Sequence, residues 1–148
     1  MKDILKVALS QYGVTEIKGK IDNPAVLKYF HETGRTWVNN DETPWCDAFL
    51  DWCAMKAGLK FTPGLTARAW LRAGEVVEPK NVAEMALEIP IICVLWRGEK
   101  VGIYGHVGLV TRLDTDSVWL LGGNQGIGQV NIRPFALHKV LGYRRLWL

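Results

Sequence analysis

The stretch Asn40-Asp41-Glu42-Thr43-Pro44-Trp45-Cys46-Asp47-Ala48-Phe49-Leu50-Asp51-Trp52-Cys53 decides how the chain is read. It is a loop entering a helix. Thr43 suits an N-cap, and Pro44 then takes the first helical position, where its missing N–H costs nothing. Counting on, Cys46 is expected at the third helical position. There the unpaired amides and the positive end of the helix dipole favour a thiolate. Cys46, Phe49, Leu50, Cys53 and Ala57 share one stripe, expected to face a sheet. Asp47 and Asp51 fall on the other side, near the end where acidic groups suit the dipole. The Asp47 side chain, about 100° round from the thiol, is expected to affect it only modestly. Cys46 therefore sits where a buried face meets a loop, which positions a thiol and leaves it reachable. A structural thiol, one more small buried hydrophobe, fits the helix position equally well.

Outward from this helix the punctuation is regular. A helix is expected over 3–12 with Gly13 as its stop, and another from Pro24 to Thr33, capped by Asn23 and ended by Gly34. The central helix runs from Pro44 to Ala57 and stops at Gly58. A short helix follows from Ala67 to Ala73, between Thr66 and Gly74. Glu75-Val76-Val77 reads as a brief strand. Asn81 to Leu87 reads as one or two helical turns, with Asn81 and Glu84 spaced as a capping box. From there the signals are β. Ile91 to Trp96 is a continuous apolar run, as in a strand buried on both faces. His106 to Leu113 and Ser117 to Leu121 flank an Asp114-Thr115-Asp116 turn. Gly122 to Gly126 reads as a loop, and Val130 to Arg133 and Val140 to Trp147 as the last strands. Helices first and strands second make an α+β fold, with helices packed on one side of an antiparallel sheet.

The 148 residues, 49% hydrophobic and 22% charged, suit one domain over 1–148 rather than a disordered chain. The net charge of +3 suits a negatively charged partner, a wall polymer or a nucleic acid, without choosing between them. Among the seven tryptophans, Trp37, Trp45 and Trp70 are candidates for the walls of a groove, and Trp52 is expected in the core. Three cysteines make no disulfide framework. Cys46 and Cys53 are too far apart on one helix to bridge. With no Cys-x-x-Cys, and with His31, His106 and His138 scattered, no metal or other cofactor is expected. The N-terminus, Met-Lys-Asp-Ile-Leu-Lys, carries no signal-peptide run, and no stretch is long enough for a membrane span. A product made in the cytoplasm is expected, without integral membrane association and monomeric.

A thiol nucleophile needs a base, usually a histidine, and a third group to orient it. His106 opens a strand between Gly105 and Gly108, which leave room for a ring. If the turn is centred on Thr115, His106 lies opposite Asn124, and a slip of one residue brings Gly123 or Gln125 there instead. Asn124 could accept the ring N–H and fix the imidazole. Taken singly, His106 is also an ordinary strand residue and Asn124 an ordinary turn former.

Thr-Pro-Trp-Cys-x-Ala-Phe-x-x-Trp-Cys, Gly-His-Val-Gly, Gly-Gly-Asn-Gln and Leu-Gly-Tyr-Arg-Arg follow one another in this order. Together they resemble the papain-like cell-wall peptidases of the NlpC and CHAP type, in their single-domain phage and bacterial branch. The resemblance extends to Gly13-Val14-x-Glu16-Ile17-x-Gly19 and Asn23-Pro24-x-Val26-Leu27-x-Tyr29. It implies a minimal papain-like fold and hydrolysis of amide bonds in peptidoglycan peptides, as in a lysin or a wall-degrading effector. Cys46 is then the nucleophile, His106 the base and Asn124 the orienting group. The backbone N–H of Cys46 suits an oxyanion. Asn40 is a candidate second donor, Asp41 could take a free amine of the wall peptide, and Trp45 and Gln125 are further candidates for substrate contact.

The implied partner is peptidoglycan and not nucleic acid, reached through a holin, a phage tail or a secretion system. Two departures stand out. Glu88-Ile89-Pro90-Ile91 replaces the family's usual Pro-Gly-Asp entry to the strand before the histidine, and Asp47 follows the cysteine where a small residue is commoner. A non-catalytic wall-binding or phage structural module, and a papain-like toxin or deamidase, are the competing readings.

Overall fold

The computed structural model describes residues 3–19, 22–39, 44–60 and 66–146. Three helices come first: α1 (Ile4–Leu9), α2 (Pro24–His31) and α3 (Cys46–Ala57). A 3-10 helix (Ala67–Arg72), strand β1 (Glu75–Val77) and helix α4 (Pro79–Met85) follow. The C-terminal half supplies β2 (Ile91–Trp96), β3 (Gly105–Leu113), β4 (Ser117–Gln125), β5 (Gln129–Ala136) and β6 (Val140–Arg145). The six strands form one antiparallel sheet in the order β1-β6-β2-β3-β4-β5. The α+β class expected from the order of elements is the class observed.

The local punctuation works as read in α2. Asn23 accepts a bond from the Ala25 amide at 2.9 Å, and Pro24 takes the first position. Gly58 ends α3 in the left-handed conformation, φ 76°. Other expectations shift. The segment from Ala67 is a 3-10 helix without a side-chain cap, and α4 starts at Pro79 rather than Asn81, so the Asn81–Glu84 capping box does not form. Pro79 at the first turn, where no N–H is needed, sets that start. Gly122 to Gln125 belongs to β4 instead of a loop.

The helices do not all lie on one side. Ile92, Val94, Val107 and Leu109 point into a core shared with Tyr29, Trp45 and Phe49, below α1–α3. Ile91, Cys93, Leu95, Val110 and Leu120 point the other way, onto Val82 of α4 and Tyr143. Strand β2 is therefore buried on both faces, which is why its sequence is apolar without alternation. Two of the three proposed groove walls are core: Trp45 and Trp70 are fully buried, whereas Trp37 is exposed. Trp52 is buried, as expected.

Two bulges set the register around β4. Near the turn, Leu113 faces Val118 and Arg112 faces Trp119, one residue off the register expected for a turn centred on Thr115. Thr111 is then extra on β3, and Val110–Leu120 and Leu109–Leu121 regain the expected alignment. Further on, β4 shifts again against β5 between Gly122–Asn131 and Gln125–Gln129. Asn124 sits in this second bulge in the left-handed region, φ 57°.

Candidate active site

Helix α3 starts two residues later than its sequence suggests. Trp45 is its N-cap residue and Cys46 its first helical residue, and the first helical bond runs from the Phe49 amide to the Trp45 carbonyl at 2.9 Å. Cys46 is thus at the first position and not the third, and the amide of Cys46 has no acceptor within the helix. Thr43, read as the cap, lies outside the described residues, as do Asn40 and Asp41.

The helix start is seated by a glycine. A Cβ on Gly123 would lie 2.7 Å from both Phe49 Cβ and Trp45 Cζ3, so the first turn of α3 rests flat on the backbone of β4. The β3–β4 ladder has its last paired residues at Leu109–Leu121. Beyond them the thiol of Cys46 faces the backbone amides of Val107 and Asp47. Val107 is the neighbour of His106 in β3, so the thiol lies against the strand that carries the imidazole.

His106 is held from two sides. Phe135 of β5 stacks on its ring at 5.1 Å between centroids. Its Nε2 lies 2.8 Å from Gln125 Oε1. The Gln125 amide group is itself fully committed: Nε2 donates to Leu120 O at 3.1 Å, Asn131 O at 2.9 Å and Asn131 Oδ1 at 3.0 Å. Three acceptors around that nitrogen fix which end of the amide faces His106. Gln125 presents an acceptor, so His106 carries its proton on Nε2 and leaves Nδ1 with a free lone pair. Gly122 makes room for this, since a Cβ there would come 2.5 Å from Gln125 Oε1.

The hydrogen bond to His106 therefore comes from Gln125 and not from Asn124. The bulge is the reason. Uninterrupted alternation puts position 124 on the face of His106, and one extra residue puts position 125 there. Gln125 was expected as a substrate contact, but it is buried against Asn131. Trp45, expected at the substrate, is buried against Tyr29 and Phe49.

Electrostatics also differ from the expectation. Burial, together with the neighbouring Asp47 carboxylate, pushes the Cys46 thiol up to about 11. The Val107 and Asp47 amides and the Arg97 charge oppose this without overcoming it. The helix start therefore does not yield a resting thiolate: desolvation outweighs the dipole. Burial holds His106 below the usual histidine range, the Gln125 bond pulls it back up, and Arg97 pushes it down. Burial thus favours the neutral thiol of Cys46 and the neutral imidazole of His106.

Asp47 does not lie on a solvated side. Arg35, on the loop after α2, reaches under α3 and pairs with Asp47 at 3.0 Å and with Asp51. Trp70 Nε1 donates to the other Asp47 oxygen at 2.7 Å. Burial pushes the Asp47 carboxyl up to about 7 against the pull of Arg35 and Trp70. All of these side chains are buried. Two acidic residues one helical turn apart, both facing inward, are legible as a pair only once a cation is known to lie between them. Arg35, Asn131, Phe135 and Arg97 have no sequence signal that separates them from structural residues. No cluster of metal-ligating side chains occurs among the described residues, and no helix there is long and apolar enough to cross a membrane.

A cysteine at the first position of a helix, laid across an antiparallel sheet whose central strand carries a histidine, defines an α+β architecture compatible with the papain-like class. The CHAP domain family model matches residues 37–124, more than half of the chain, and the chain belongs to that family. Membership points to a hydrolase of the peptidase or amidase type with peptidoglycan as substrate. The matched span includes Cys46 and His106 and ends at Asn124, one residue short of Gln125. No curated protein and no solved structure matches the chain.

Proposed function

We propose that the protein hydrolyses an amide bond in the peptide part of peptidoglycan by thiol acyl transfer, as a lysin or a wall-degrading effector, with residues 1–148 acting as one domain. Cys46 is the nucleophile, His106 the base and Gln125 the group that orients the ring. The observation that carries this reading is the tautomer. Gln125 commits the Nε2 proton of His106 and leaves Nδ1 free, next to the strand position whose amide faces the thiol.

Because thiol and imidazole are both neutral at rest, His106 works as a general base. It takes the thiol proton as sulfur attacks the carbonyl carbon. The oxyanion that forms meets the unpaired Cys46 amide at the helix start. The imidazolium then returns its proton to the leaving amine, and the thioester is hydrolysed by water activated at the same ring. Gln125 moves with neither step; its role is to keep one nitrogen pointed away from the chemistry.

The test is digestion of purified sacculi by wild type and Cys46→Ala, with products followed by mass spectrometry. Wild type is expected to release peptide fragments whose new ends identify the bond, and the variant to release none. Binding by both without release would leave a wall-binding module and end the enzyme reading. Unchanged hydrolysis by His106→Ala would remove the base from its role.

A further inference from the structure

Near the thiol and the histidine stands a cation, Arg97, that forms no ion pair among the described residues. Arg97 follows the last residue of β2, and its amide bonds to the Tyr104 carbonyl at 3.2 Å, closing the β2–β3 loop. Leu95 pairs with His106 across the ladder. Arg97 is two residues beyond Leu95 and so on the same face, a diagonal neighbour of His106. Its charge is felt at both the thiol and the imidazole. The guanidinium lies over the Tyr104 ring, its carbon 5.8 Å from the centroid. It is exposed, and among the described residues it makes no ion pair and no side-chain hydrogen bond.

The contrast with Arg68, which reaches the same loop from the 3-10 helix, is informative. Arg68 donates to the carbonyls of Tyr104 at 2.7 Å, Lys100 at 2.9 Å and Glu99 at 2.8 Å. Its donors are used in clamping the loop to the 3-10 helix. The loop that presents Arg97 is therefore held in place by one arginine and leaves the other unused. Arg35, the third arginine near α3, is consumed by two carboxylates.

We propose that Arg97 is a specificity-determining residue that binds a free carboxylate of the substrate next to the scissile amide. The substrate class is then an anionic peptide, with a carboxylate within reach of the guanidinium when its carbonyl lies at Cys46. A planar fork of donors suits a carboxylate in a two-bond arrangement. The inference deepens the proposed function, since it rests on Cys46 being the reacting group.

The test uses two small alkylating reagents that differ only in charge, iodoacetate and iodoacetamide, on the folded full-length protein. Cys53 and Cys93 have no exposed surface, so modification is read on the Cys46 peptide by mass spectrometry. The fraction of thiolate affects both reagents alike, and the ratio of their rates isolates attraction for the anion. Arg97→Gln is expected to lower the iodoacetate-to-iodoacetamide ratio by about tenfold to 100-fold, the worth of one hydrogen bond to a charged group. Arg97→Lys is expected to keep most of the preference.

An unchanged ratio in Arg97→Gln would overturn the inference. So would failure of either reagent to reach Cys46, because an opening closed to acetate-sized anions admits no substrate carboxylate. The two readings fail separately. A ratio that depends on Arg97 in a protein that leaves sacculi intact would keep the anion site and remove the wall substrate. Digestion of sacculi with an unaltered ratio would do the reverse.

Discussion

Two buried polar clusters meet at consecutive residues of α3. Asp47 belongs to the first, in which Arg35 joins two carboxylates and Trp70 supplies a further donor. Cys46 faces the Val107 amide, next in β3 to the second cluster of His106, Gln125 and Asn131, where burial favours the neutral imidazole. The first cluster is charged and keeps its donors engaged with each other. The second leaves a lone pair on His106 and a proton on sulfur. A buried network whose bonding is turned inward anchors a fold, and one with spare capacity is where chemistry takes place. The ionic cluster fixes the first turn of α3 from below while Gly123 seats it from the other side, so the thiol position is set by two independent restraints.

The largest effect should come from the ionic side. Arg35→Leu leaves two carboxylates buried without their cation, and a loss of about 3–5 kcal/mol in unfolding free energy is expected. The pH dependence carries the diagnosis. The Asp47 carboxyl stands at about 7 with Arg35 present, against an ordinary value of 3.8. Removal of the cation raises it further. A group whose value is higher in the folded state gives stability that is fully present below its unfolded value and is lost as pH rises through its folded one. The variant's deficit should therefore shrink toward pH 4 and widen above pH 7, as urea melts at several pH values would record. A deficit independent of pH would mean that Arg35 acts by packing alone.

On the neutral side the effect should fall on rate. Gln125→Leu removes the acceptor of the His106 proton and the donors of Leu120 O and Asn131. The ring is then free to rotate, and hydrolysis is expected to drop about 100-fold, the usual cost of a misplaced catalytic group. A purely structural role would also lower the rate by unfolding part of the protein, so the profile must be read as well. The Gln125 bond pulls His106 upward, and its loss moves the acid limb of kcat/KM to lower pH.

The wild-type profile is itself a smaller and cleaner discriminator. With a neutral pair, activity rises as His106 loses its proton, with a midpoint below the ordinary 6.5 because burial favours the neutral ring. It then stays level through pH 9, since the Cys46 thiol at about 11 does not titrate there. A preformed thiolate–imidazolium pair would instead give a bell whose alkaline limb is the loss of the imidazolium proton.

Much of this arrangement is legible in the chain. The apolar run of β2, the cap and proline of α2, and the order of helices before strands all follow from local physics. The failures have one kind of cause. Helical position 46 was misjudged because Pro44 suits the first helical position but also the residue before a cap. Asp47 falls on the side of the helix away from the stripe of the thiol, and only the tertiary approach of Arg35 explains its burial. The thiolate expectation followed the dipole and could not weigh burial. Counting from a turn centred on Thr115 puts position 124 opposite His106 with 123 and 125 one slip away, and the bulge that selects 125 has as its local sign an asparagine able to adopt positive φ.

That bulge supplies the finest test. Asn124 and Gln125 are neighbours of similar chemistry, and only the extra residue in β4 decides which one meets the ring. Asn124 has a left-handed backbone that glycine adopts without strain, so Asn124→Gly should preserve the bulge. Hydrolysis is then expected to stay within about threefold of wild type, a change below 1 kcal/mol, and the acid limb should not move. If Asn124→Gly abolished hydrolysis and Gln125→Leu did not, the imidazole would be oriented by Asn124 in the working enzyme. The register that places Gln125 Oε1 against His106 would then have to slip by one residue during the reaction.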